Sequence, residues 1–118
     1  MAITSSQRTV TLMALPPALF RRWVHSSAED AGGVEVYRPY GYPFLPSRAY
    51  DGFEPFENGT FVQHTTDATG GTIAVKGRWT SLGLRRFALV PHGATSEEAV
   101  LTIVGVDEAA LRVRRRLR

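Results

Sequence analysis

Apolar and polar residues alternate in short runs along this chain, and Gly, Pro and Asn-Gly pairs punctuate the runs at spacings of about 8–12 residues. No segment sustains the 3.6-residue period of an amphipathic helix. The runs predict eight strands: Leu19–Ser26, Val34–Arg38, Arg48–Phe56, Phe61–Thr66, Thr72–Thr80, Leu84–Pro91, Glu98–Val106 and Ala109–Leu117. Pro16-Pro17-Ala18 predicts a short helical turn before the first strand, because Pro fixes φ for such a turn and blocks a strand ladder. Asn58-Gly59 predicts a type I′ hairpin turn, which needs positive φ at both central residues. Pro55 weakens or bulges the third strand.

Short links between consecutive strands make those strands antiparallel neighbours. Eight strands joined in this way close most simply into an up-and-down barrel, which removes every exposed edge. The expected fold is therefore all-β, with residues 15–118 as one barrel domain and 1–14 as a flexible lead. A barrel of eight strands has room for packed side chains or one small ligand. One connection is long. It covers residues 39–47, with Tyr40, Tyr42 and Phe44 at alternating positions among Pro and Gly. A plain meander places this loop at the end opposite the 27–33 loop, unless it climbs the wall.

Composition narrows the chemistry. The 118 residues include no Cys, so disulfides, thiolate metal sites and Cys nucleophiles are excluded. No Rossmann, P-loop or zinc motif is present, and no apolar run approaches the ~20 residues of a membrane helix. The formal net charge of +3 comes from 14 basic and 11 acidic residues. Five of the basic ones are Arg112, Arg114, Arg115, Arg116 and Arg118, so the basicity is concentrated in the last strand. Arg112, Arg114, Arg116 and Arg118 alternate along one strand and are expected to form a solvated face that discourages edge pairing, with no nucleic-acid and no membrane partner. Arg outnumbers Lys 13 to 1, which suggests a GC-rich bacterial genome. The Arg8–Leu15 stretch is too short for an export signal, and a cytoplasmic location is expected.

Trp23-Val24-His25-Ser26 after the Pro-Pro turn, Val36-Tyr37-Arg38-Pro39, Pro46-Ser47-Arg48 and Gly77-Arg78-Trp79 together resemble the small lipocalin-like proteins of the calycin group. That resemblance implies a barrel that binds a small apolar molecule, with a helical turn plugging its floor. It further implies that the first-strand Trp packs on an Arg of the closing strand. Arg115 shares a strand face with Leu111, Val113 and Leu117 by period 2, so a cation–π contact of Arg115 over Trp23 is expected.

Several residues are candidates for chemistry. His25 ends the first strand and Glu29 and Asp30 follow in the loop. A carboxylate beside an imidazole fixes its tautomer and raises its basicity, so His25 with Glu29 or Asp30 is the expected acid–base pair at the mouth, with Glu29 the first choice. Arg38 shares parity with Val34 and Val36 and is expected to point inward, leaving Glu35 and Tyr37 outward. Arg48 is a second anion partner. The ligand set expected from these considerations is Arg38, Tyr40, Tyr42, Arg48, His64, Trp79 and Phe87. His25, His64 and His92 are too far apart in sequence for a metal signature, so neither metal nor cofactor is expected.

The leading function is binding of a small, largely apolar or aromatic molecule in the cavity. Two alternatives stand beside it. One is a barrel enzyme that cyclises or isomerises a small organic substrate by holding it in a reactive conformer. The other is a solid barrel that binds a protein partner, or a second copy of itself as a homodimer, through the aromatic loop.

Overall fold

The computed structural model describes residues 15–43, 51–83, 85–92 and 98–117. Its elements are two 3₁₀ turns, η1 (Pro17–Leu19) and η2 (Ser27–Glu29), and eight strands. The strands are β1 (Trp23–His25), β2 (Glu35–Pro39), β3 (Gly52–Pro55), β4 (Thr60–Thr66), β5 (Thr72–Gly83), β6 (Arg86–Pro91), β7 (Ala99–Val106) and β8 (Leu111–Leu117). They form a closed antiparallel up-and-down barrel with the ring order β1-β2-β8-β7-β6-β5-β4-β3.

The ring departs from a plain meander at one place. β1 lies between β2 and β3, pairing Trp23 with both Pro39 and Phe53, and β2 closes the ring on β8. Because β1 is antiparallel to both neighbours, β2 and β3 run the same way. β2 therefore ends at the floor, whereas β3 begins at the mouth, where the Asp51 carbonyl accepts the His25 N–H at 2.7 Å. The long connection after Pro39 must span from one end of the barrel to the other. Residues 44–50 of it, including Phe44 and Arg48, lie outside the described residues.

The register makes odd-numbered residues inward on almost every strand. Trp23, Phe53, Phe61, Phe87, Leu101, Ile103, Leu111 and Val113 fill the lower interior and are buried. The Pro-Pro turn plugs the floor as expected. Leu15 and Leu19 join the core, and the Leu19 carbonyl accepts the Trp23 indole N–H at 2.8 Å. Trp23 itself is 0% exposed. Gly77 is inward without a side chain, because a Cβ there would strike the Phe61 ring and the Val90 carbonyl. Its absence lets the ring fill the barrel.

The hairpin at Asn58-Gly59 differs from the expected type I′ turn. Gly59 has φ +91°, but Asn58 is not among the positive-φ residues. The Gly59 N–H donates to the Phe56 carbonyl and the Phe56 N–H to Thr60. This is a type I turn closed by a left-handed Gly, the three-residue hairpin loop. The Asn58 side-chain oxygen accepts from the Thr60 N–H and hydroxyl, which gives Asn a reason to precede Gly without positive φ.

Arg115 also differs from expectation. It points inward, yet it stands two residues above Val113 near the mouth, far from Trp23 at the floor. Arg21 occupies the cation–π position instead, 5.4 Å from the Trp23 ring centre.

Two outcomes check this packing. Trp23→Ala is expected to cost ~3–5 kcal/mol, as for emptying a large aromatic core site; an unchanged denaturant midpoint contradicts the floor described above. Gly59→Val puts a β-branched residue at positive φ, so its melting temperature should fall, and an unchanged value excludes the left-handed hairpin residue.

Candidate functional site

The inward residues divide the barrel into an apolar lower half and a polar upper half. The upper half is a cup of about 500 Å³ at the end carrying the 26–34 loop. Its bottom is Phe53, Val75, Leu89 and Ala99, and its polar wall includes His25, Glu35, Tyr37, Gln63, Thr65 and Arg115. An aromatic column links wall to core. The His25 ring stacks on Tyr37 (4.9 Å, 28°), Tyr37 meets Phe53 edge-on (5.2 Å) and Phe53 meets Phe87 (6.4 Å).

Arg115, Glu35 and Tyr37 form the fixed polar centre of the cup. Arg115 Nε lies 3.1 Å from Glu35 Oε1 and 3.3 Å from Oε2, and its Nη2 donates to the Tyr37 hydroxyl at 2.8 Å. That hydroxyl donates to Glu35 Oε1 at 2.9 Å. Arg115 and Glu35 keep part of their side chains in solvent, and the shielding of the remainder is tolerated because the three groups hydrogen-bond one another. Burial pushes the Tyr37 phenol above its ordinary range, so it stays a neutral donor. Burial opposes the charge on Arg115, but Tyr37 and Glu35 outweigh it and hold the guanidinium above its ordinary value.

His25 does find a carboxylate, and it is Asp30. His25 Nε2 and Asp30 Oδ2 are 2.8 Å apart. The other oxygen of Asp30 accepts the Val36 N–H at 2.8 Å, so the backbone of β2 anchors the acid that orients the ring. In the neutral imidazole this bond places the proton on Nε2 and leaves Nδ1 as the acceptor.

The expected partner, Glu29, is engaged elsewhere. The turn η2 carries it away from the cup, and it accepts from Arg38 Nε and Nη2 at 2.8 and 2.6 Å and from Ser26 Oγ at 2.7 Å. Glu29 is the last residue of the 3₁₀ turn whereas Asp30 follows it in extended conformation, so the two side chains leave the chain in different directions and Asp30 is the one that reaches the imidazole. Arg38 and Ser26 hold the Glu29 carboxyl down at about 2, against an ordinary value of 4.5.

Arg38 is thus outward, and the expected facing of β2 is reversed. The cause is that both faces of β2 are covered. Val36 is buried although it faces outward, because η2 packs over the outside of β2. The valines consequently mimic an inward face, while Glu35 and Tyr37 line the cup.

The remaining expected ligand residues are dispersed. Tyr40 is 62% exposed and lies on the outer surface under Arg22, 4.0 Å from its guanidinium. Tyr42 lies under Arg38 at 4.9 Å. Trp79 belongs to the floor, tilted on Phe20 at 5.7 Å and donating to the Phe56 carbonyl at 2.6 Å. Phe87 is fully buried beneath the cup. His64 contributes to the cup rim, but its Nε2 lies 3.9 Å from Glu54 on the outer face. Burial, then the charge of Arg22, lowers its pKa.

Among the described residues no group of three His, Asp or Glu could hold a metal ion, and no helix is long and apolar enough to cross a membrane. No family model, curated protein or solved structure matches the chain.

The Glu29–Arg38 pair has a pH signature. A carboxyl with a depressed folded-state pKa contributes stability above its unfolded value and loses it as pH falls through the folded value. Glu29→Gln should therefore lower the melting temperature at pH 6–7, and its deficit relative to wild type should shrink between about pH 4.5 and 2. A pH-independent deficit excludes the pair as drawn.

Proposed function

We propose that the barrel binds one small, largely apolar or aromatic molecule in the cup at its mouth, in the manner of lipocalin-like barrels. The observation that carries this reading is the cup itself. About 500 Å³ stands over an apolar bottom, with a stacked His25–Tyr37 wall and a self-satisfied Arg115–Glu35–Tyr37 group. Sites for small ligands combine mainly apolar lining with a few fixed polar groups, and a flat molecule fits against the aromatic column. The outward placement of Arg38, Tyr40 and Tyr42 takes them out of this site.

A second reading is favoured by the hydrogen bond between His25 and Asp30. An oriented imidazole on the wall of the cup is suited to move a proton on a bound substrate during an isomerisation or cyclisation. The cup would supply the conformer and His25 the base. Mass spectrometry of the molecule that copurifies with wild type and with His25→Gln separates the two readings. The same molecule in both proteins supports binding alone, whereas a product in wild type and its precursor in His25→Gln supports catalysis.

The binding site is tested with the neutral fluorescent probe N-phenyl-1-naphthylamine. Val75→Trp fills the cup and should weaken probe binding at least tenfold, with Thr65→Trp as a second filling variant and far-UV circular dichroism as the folding check. Arg38→Ala combined with Tyr40→Phe should leave affinity unchanged. The reverse pattern places the site on the outer wall and overturns the proposal.

A further inference from the structure

The outer wall of β6, β7 and β8 carries a second feature, whose lining shares Arg115 with that of the cup. Pairing puts Arg86 opposite Thr102 and Thr102 opposite Arg114, so the two arginines flank one threonine across three strands. In the next outward row, Ala88 faces Val100 and Val100 faces Arg116. Neighbouring strands are ~4.8 Å apart and alternate residues ~6.8 Å apart, so the three arginines stand at the corners of a triangle with sides of about 7–12 Å. Between them is a cleft of about 300 Å³, lined by Arg86, Val100, Thr102, Arg114, Arg116 and Arg115.

No carboxylate lines this cleft. Among the described residues, Arg86 and Arg116 make no ion pair, and Arg114 donates only to the Gly32 carbonyl at 3.1 Å. Arg112 is different, since it lies close enough to Glu29 and Asp107 to lower their pKa values. Glu98, two residues from Val100 on the same face, lies outside the cleft lining and has an interaction of its own. Edge protection does not account for the arginines either, because β8 pairs on one side with β2 and on the other with β7. The three guanidiniums are exposed, and at separations of about 7–12 Å they repel one another only weakly in water while together attracting an anion placed among them.

We propose that Arg86, Arg114, Arg116 and Thr102 form a binding site for a diphosphate group on the outer wall. Guanidinium forks match phosphate oxygens two at a time. Three of them balance the charge of a diphosphate, and Thr102, which lies between Arg86 and Arg114 on one side of the triangle, offers a hydroxyl as an additional donor. The group is either free diphosphate or the diphosphate of a nucleotide.

Calorimetric titration with inorganic pyrophosphate tests the site, with ADP as a parallel arm and sulfate as the anion control. Pyrophosphate should bind one per chain, more tightly than sulfate and more weakly as salt rises. The double variant Arg86→Gln with Arg116→Gln should weaken it at least tenfold, while Val75→Trp in the cup leaves it unchanged. ADP binding more tightly than pyrophosphate assigns the group to a nucleotide, and weaker ADP binding assigns it to free diphosphate. Equal affinity for sulfate, or binding that survives the double variant, overturns the proposal. So does a single-stranded oligonucleotide that binds more tightly than either, because the wall is then a nucleic-acid surface.

Discussion

Closure of the ring between β2 and β8, with β1 held between β2 and β3, is the constraint on which the rest of the molecule depends. A closed ring leaves every strand without a choice of face, because a slip of one residue would turn its whole inner set outward. The odd-numbered positions are thereby committed to the interior from Trp23 on β1 to Val113 on β8. Eight strands enclose only enough space for side chains or one small ligand. The lower half spends that space on Trp23, Phe61, Phe87, Leu101 and Leu111.

The upper half follows from the same commitment. Glu35, Tyr37 and Arg115 are inward because of their parity, and each is a poor choice for a packed core. Their mutual hydrogen bonds make the partial shielding of the two charges tolerable, and the space they leave unfilled is the cup. His25 faces the cup for the same reason, and the loop that returns from β1 to β2 brings Asp30 to its ring. The anchoring of Asp30 on the Val36 N–H ties the geometry of the imidazole to the register of β2. The proposed binding and acid–base readings therefore share one architectural origin.

The strands, the floor turn and barrel closure were legible in the sequence because they rest on local signals: short alternating runs, Pro-Pro and Asn-Gly. The His25 end was legible as well, since His25 is followed by two acids within five residues. Which acid reaches it was not, because the direction of each side chain depends on the 3₁₀ turn between Ser27 and Glu29. The facing of β2 was misread for a physical reason. Val36 is buried from outside by the same loop, and so the Val-Glu-Val-Tyr-Arg run shows apolar residues at the positions that face away from the interior. Arg115 was correctly inward, but its height in the barrel depends on strand register, and only pairing of Glu35 with Val113 reveals that it sits at the mouth. Tyr40 and Tyr42 look like ligand groups because their loop is long and aromatic, and Arg38 because it shares parity with two valines; all three are engaged instead in outer-wall contacts.

The central claim is that odd positions of β2 face the interior while even ones face out, and the chain's lack of cysteine makes it directly measurable. Single cysteines introduced as Tyr37→Cys and Arg38→Cys differ by one residue and by the whole thickness of the wall. The rate of reaction with a bulky maleimide in the folded state reports which side each occupies. Fast labelling of the Arg38→Cys protein with the Tyr37→Cys protein at least a hundredfold slower is the result this structure predicts. Equal rates, or faster labelling at position 37, would contradict the register from which the cup and its residues follow.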